Sequence, residues 1–146
     1  MVGTVAGSGG EDLREEPKIV ELGEMTVVGL QSLSTQRHNL VPSLWKRFVP
    51  RGDEIKDLVD PDVWLGVSFG IVHKEDDTEF FHIVGRRVSN VKDIPEGMSY
   101  RRIPAHKYAV FTHKGTLEKL KETYTYIYNI WLPVSGYEYD YCHELE

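Results

Sequence analysis

The last ten residues, Tyr137 to Glu146, set carboxylates and aromatic rings side by side: Glu138, Asp140, Glu144 and Glu146 among Tyr137, Tyr139 and Tyr141, with no Lys or Arg. Tyr137 onward alternates as a strand. Successive strand side chains point to opposite faces, so Glu138, Asp140, Cys142, Glu144 and Glu146 share one face. Tyr137, Tyr139, Tyr141, His143 and Leu145 share the other. The acidic face either lines a wet cleft or meets water, and water is the commoner answer for most such groups. The same alternation disposes of Cys142 and His143 as a nucleophile–base pair, because neighbours on a strand project oppositely. A lone cysteine is weak evidence for catalysis in any case.

Other candidate chemistry is thin. The six histidines show no His-x-x-x-His spacing and no cysteine pair joins them, so no metal site and no cofactor is expected. His106 and His113, on or beside a long strand, read as surface or cleft polar groups. The Gly-rich start (Gly3, Gly7, Gly9, Gly10) lacks the Lys-Ser/Thr ending of a phosphate loop, and no apolar strand leads into it. Among the rings, Trp64, Tyr108 and Trp131 are candidates for the walls of a binding cleft. The competing reading is plain core packing, the usual fate of a Trp on a helix stripe. Trp45 reads as core.

The elements that would position these groups follow from periodicity. Residues 1–16, small, polar and charged, read as a flexible tail, and 17–146 as one domain. Ile19 to Leu30 is a β-branched strand broken at Gly23-Glu24. Asn39 can cap a helix carrying Leu40, Leu44, Trp45 and Phe48, with Pro42 in its first turn and Pro50-Arg51-Gly52 ending it. Trp64–Val72 and Phe80–Val88 form a hairpin around a polar loop from His73 to Glu79. Tyr100–Thr112 is a strand interrupted by Pro104. Gly115 and Thr116 introduce a helix with Leu117, Leu120, Tyr124, Ile127 and Trp131 on one stripe, closed by Pro133 and Gly136.

The halves overlay at a shift of 81 residues: Leu22 falls on Ile103, Gly23 on Pro104, Val27 on Tyr108 and Leu30 on Phe111. This predicts a duplicated strand–helix–strand–strand unit. The counterpart of Phe80–Val88 would fall beyond the last residue, so the chain is one strand short. Either it has been cut, or the N-terminal segment fills the gap, or a second chain does. An unpaired edge strand would invite a homodimer.

From about Lys18 onward the chain resembles the gyrase-inhibitor-like (GyrI-like) small-molecule-binding family, the effector-binding domain of AraC-type and MerR-type regulators, with a SOUL-like fold. The resemblance rests on Val20-Glu21-Leu22 with Met25-Thr26-Val27-Val28-Gly29, Leu44-Trp45-x-x-Phe48, Leu65-Gly66-Val67-Ser68, Val84-Gly85 with Val88, and Pro95-Glu96-Gly97-Met98. Ile103-Pro104-Ala105 with Tyr108-Ala109-Val110-Phe111 carries it further, as do Tyr126-Ile127-Tyr128 and Trp131-Leu132-Pro133-x-Ser135-Gly136-Tyr137. It implies an α+β fold in which two βαββ modules form a curved antiparallel sheet, with two main helices flanking a central cleft. It also implies an amphipathic, often cationic aromatic ligand. The buried glutamate of the family matches Glu146, after Leu145, with Glu144 in its place if the last two residues are vector-derived. His82 stands where relatives often have Tyr, Arg87 where they often have Glu, and the last strand is absent. The first two departures argue against a purely cationic preference.

The totals bound the function. One cysteine excludes an internal disulfide and makes the cytoplasm the default compartment. No apolar run spans a membrane, and no secretory signal opens the chain. A net charge of −6 argues against a nucleic-acid partner, and no helix-turn-helix precedes the domain. The expected function is a stand-alone module that captures a hydrophobic or amphipathic aromatic molecule between the two repeats, with Trp64, His82, Tyr108, Trp131, Glu144 and Glu146 as site residues. Two alternatives stand beside it. One is hydrolysis of strained electrophilic natural products by a cleft glutamate with Tyr108 or His82. The other is a protein-interaction role such as gyrase inhibition.

Overall fold

A computed structural model of the chain describes residues 2–8, 17–113 and 119–145. The break read at Gly23-Glu24 separates β2 (Lys18–Leu22) from β3 (Met25–Thr35), and the break at Pro104-Ala105 separates β6 (Ser99–Ile103) from β7 (His106–His113). A shift of 81 therefore carries β2 onto β6 and the start of β3 onto that of β7. Each short strand pairs with the long strand of the other half: β2 lies antiparallel to β7, and β6 antiparallel to β3. The two repeats are thus interlocked rather than laid side by side.

The rest of the sheet comes from β4 (Leu65–His73), β5 (Thr78–Val88), β8 (Tyr139–Leu145) and β1 (Val2–Ser8), in the order β2-β7-β1-β8-β4-β5-β3-β6. Read inward from its two edges, β6-β3-β5-β4 mirrors β2-β7-β1-β8. β1 therefore stands where β5 stands in the other half. Residues 2–8, read from sequence as tail, form a strand there, the alternative in which the N-terminal segment fills the gap. The physical reason is pairing demand: without β1, both β7 and β8 would present a row of unpaired backbone groups. β1 runs parallel to both neighbours, whereas the other ladders are antiparallel, and its register to β8 slips between Val2 and Thr4. Residues 9–16, 114–118 and Glu146 lie outside the described residues.

Gly29 and Gly85 face each other across β3 and β5. A Cβ on Gly29 would lie 1.8 Å from the Val84 carbonyl oxygen, and one on Gly85 would lie 2.3 Å from that of Val28. Close backbone approach at this point requires two glycines, and it lets the sheet curl. The curl gathers Met25, Val27, Val67, Phe69, Ile83, Ile103, Tyr108 and Leu145, from strands near both edges, into one inner cluster. Each fully buried Val, Ile or Phe there contributes about 1.5–3 kcal/mol.

The opposite face carries the helices. Helix α1 (Val41–Phe48) packs Leu44 and Phe48 on Val28, Leu30, Val84 and Val88. The N-cap is Leu40, which offers no side-chain cap, so Asn39 stands one residue before it and accepts from the Val41 N–H at 3.0 Å; Pro42 lies in the first turn, as the sequence predicts. Helix α2 (Leu120–Tyr126) continues through a π-helical turn (Ile127–Trp131) into α3 (Leu132–Ser135), which Gly136 ends at φ 80°. The wide turn lets the helix pass Pro133, whose ring would otherwise crowd the preceding turn. Ile127 packs on Ala109 and Phe111, with Tyr124 and Trp131 against them, so these three residues of the predicted stripe face the sheet.

Candidate functional site

Strands β4 and β8, one from each half, meet at the middle of the sheet with Val67 opposite Leu145, Ser68 opposite Glu144 and Phe69 opposite His143. On its other side β4 sets Ser68 opposite His82 of β5. Val67, Ile83 and Leu145 belong to the inner cluster, so their neighbours Ser68 and His82 stand on the helix side, between α1 and α2.

At this seam the Ser68 hydroxyl and Nδ1 of His82 are hydrogen-bonded at 2.7 Å. His82 is 2% exposed, and its Nε2 finds no hydrogen-bond partner among the described residues. Burial penalises the imidazolium and pushes the pKa down from 6.5 to about 4. The ring is therefore neutral at physiological pH. Phe80 meets it edge-on at 6.3 Å.

The remaining predicted residues are dispersed. Trp64 belongs to the α1 side, edge-on to Phe48 at 5.5 Å, with the Arg86 guanidinium 4.5 Å from its ring. Gly52 makes room for it: a Cβ there would lie 2.1 Å from the indole. Tyr108, 1% exposed, sits in the inner cluster, on the face turned away from both helices. Trp131, at the end of the π-helical turn that continues α2, packs on β7, 5.0 Å from Phe111 and stacked on Tyr137 at 6.1 Å. It borders a hollow of about 360 Å³ with Pro17, Ile19, Val134, Ser135 and Tyr137. Trp64, Tyr108 and Trp131 thus do not wall one cleft; the curl and the two faces of the sheet send each ring elsewhere. His82 and the backbone of residue 144 lie on either side of β4, each opposite Ser68. Trp45 is half-buried in the α1 cluster, as core. Arg87 stands opposite Val27 and so on the inner side, away from the seam. Among the described residues no group of His, Cys, Asp and Glu could hold a metal, and no helix is long and apolar enough to cross a membrane.

Sequence reasoning passed over three residues. Ser68 is a polar break in Leu65-Gly66-Val67-Ser68-Phe69, and that break was its signal. Arg86 is buried and donates to the carbonyls of Gly52, at 3.1 Å, and Pro61, tying two loops to β5. Arg101 lays its guanidinium 3.6 Å from the Phe69 ring within the curl.

Comparison with known proteins agrees with this architecture. A family model for the GyrI-like small molecule binding domain matches residues 15–145. The transcriptional regulator BrlR of Pseudomonas aeruginosa is 38% identical over 121 residues, covering 83% of this chain and 43% of the regulator. The chain therefore spans less than half the length of that relative. The crystal structure of the integron cassette protein VCH_CASS2, from the mobile metagenome of Vibrio cholerae, superposes with a TM-score of 0.65 at 13% identity. It covers 90% of this chain and 87% of that one, a likeness of fold. The chain belongs to the GyrI-like small-molecule-binding domain family.

Proposed function

We propose that this GyrI-like domain captures an amphipathic aromatic molecule on the helix side of its sheet, at the β4–β8 seam. Ser68 and His82 supply the polar contact and Glu144 the preference for positive charge. Small-molecule binding in general comes with the family; the location and the ligand class are the proposal. The observation that carries it is His82 Nε2, buried at the junction of the two halves without a partner among the described residues. Leaving such an atom unpaired costs about 1–3 kcal/mol, and a ligand group that meets it recovers this. A neutral imidazole repels no cation, and a carboxylate at position 144, one ladder step from Ser68, favours one.

The experiment compares ethidium, a cationic polyaromatic, with neutral phenanthridine, by thermal shift and fluorescence titration of wild type, His82→Phe, Ser68→Ala and Glu144→Gln. Ligand at 100 times Kd stabilises the fold by about 2.7 kcal/mol. His82→Phe raises the ethidium dissociation constant about tenfold, and Glu144→Gln weakens ethidium but not phenanthridine. Ethidium binding that is unchanged in His82→Phe and Ser68→Ala would refute the location. Mass spectrometry of the recovered ligand separates capture from hydrolysis: capture returns it unaltered.

A further inference from the structure

We infer that the hollow beside Trp131 is a second ligand site, distinct from the seam, and that it takes a neutral planar aromatic compound. Ile19, on its wall, lies on β2 at the edge of the sheet, opposite Ala109 of β7. From β2 to the β4–β8 seam the order runs through β7, β1 and β8. At about 4.8 Å per strand the two places are roughly 15–20 Å apart, so one small ligand cannot fill both.

Its size and shape suit an aromatic guest. The volume, about 360 Å³, falls within the roughly 300–1,000 Å³ usual for small-molecule sites. Trp131 and Tyr137 lie within 14° of parallel, and Phe111 backs the indole edge-on, so the two stacked rings form a platform set before any ligand arrives. The apolar surface around it is left to water: Val134 is 83% exposed, Ile19 38% and Tyr137 37%. The π-helical turn that carries the helix past Pro133 ends on Trp131 and leads directly into Val134 and Ser135, and so sets one wall of the hollow.

The described lining favours an uncharged ligand: among the described residues, Pro17, Ile19, Trp131, Val134, Ser135 and Tyr137 include no ionised group. The Ser135 hydroxyl is engaged, donating to the Leu132 carbonyl at 2.8 Å and accepting from the Tyr137 N–H at 3.1 Å. The described lining therefore supplies no countercharge, and of its two hydroxyls that of Ser135 is already engaged. A charged guest would lose hydration without compensation, whereas a neutral aromatic hydrocarbon face loses almost none.

The test titrates the intact chain with N-phenyl-1-naphthylamine, a neutral fluorescent aromatic. Val134→Glu puts a carboxylate into the hollow from an exposed position, and Ile19→Glu does so from the opposite wall. Each is expected to raise the probe's Kd at least tenfold with the melting temperature held within a few degrees. His82→Phe, outside the hollow, is expected to leave it within twofold. The inference is overturned if the probe does not bind, if both Glu variants bind it as wild type does, or if His82→Phe abolishes its binding. Failure of ethidium to respond to His82→Phe would sink the seam reading and leave this one standing.

Discussion

Protonation of His82 sets a pH limit on the fold. In the unfolded chain the imidazole takes up its proton near pH 6.5, but in the folded chain not until about pH 4. Between those values the unfolded state binds more protons, so acidification drives unfolding. The stabilisation is complete above about pH 6.5 and is lost as pH falls through the window to 4. At about 1.4 kcal/mol per pKa unit, the loss sums to about 3 kcal/mol. Because His82 is 2% exposed, solvent screening takes little from this figure. The assay is urea unfolding of wild type and His82→Gln at steps from pH 7.5 to 4. Glutamine keeps a hydrogen-bonding partner for Ser68 but does not titrate, and subtraction removes the other histidines and the carboxylates. Wild type should lose about 3 kcal/mol more than the variant, nearly all below pH 6.5. Parallel curves, or an imidazole titrating above pH 6 in the folded protein, would refute the reasoning.

Other perturbations follow from the same geometry. Gly29→Ala or Gly85→Ala drives a methyl into a facing carbonyl and should cost about 3 kcal/mol or prevent folding, read from the denaturant midpoint. Arg86→Met strips donors from the Gly52 and Pro61 carbonyls and cover from Trp64. It should cost about 3 kcal/mol and shift tryptophan emission, whereas the exposed Asp53 carboxylate 3.6 Å away adds little. Removing residues 2–8 exposes the facing edges of β7 and β8. The truncated chain should melt lower and sediment partly as a dimer joined through those edges.

Much of the fold was legible because local signals agreed with the tertiary outcome. The apolar patterns of residues 19–30 and 100–112, broken by Gly23 and Pro104, marked the two strand pairs, and Tyr124, Ile127 and Trp131 marked the buried stripe of the second helix. β1 was not legible. Val-Gly-Thr-Val-Ala-Gly-Ser has little to bury, and its strand character comes from the two edges it joins. Nor was the Ser68–His82 pair. Counting back from His73 opposite Thr78 sets Ser68 against Ile83, on the wrong face. The bulge between Phe69 and Val72, with Gly70 at φ 60°, inserts one residue and restores His82. The scattering of Trp64, Tyr108 and Trp131 has a similar origin: a curled sheet has two buried faces, and period two alone does not say which is which.

The central claim is tested most directly by the imidazole nitrogen resonances of His82, followed by NMR as ethidium is added. The account predicts that they shift and saturate with the Kd seen by fluorescence, and that Ser68→Ala weakens both alike. Ethidium bound at full occupancy, with those resonances unmoved, would contradict it.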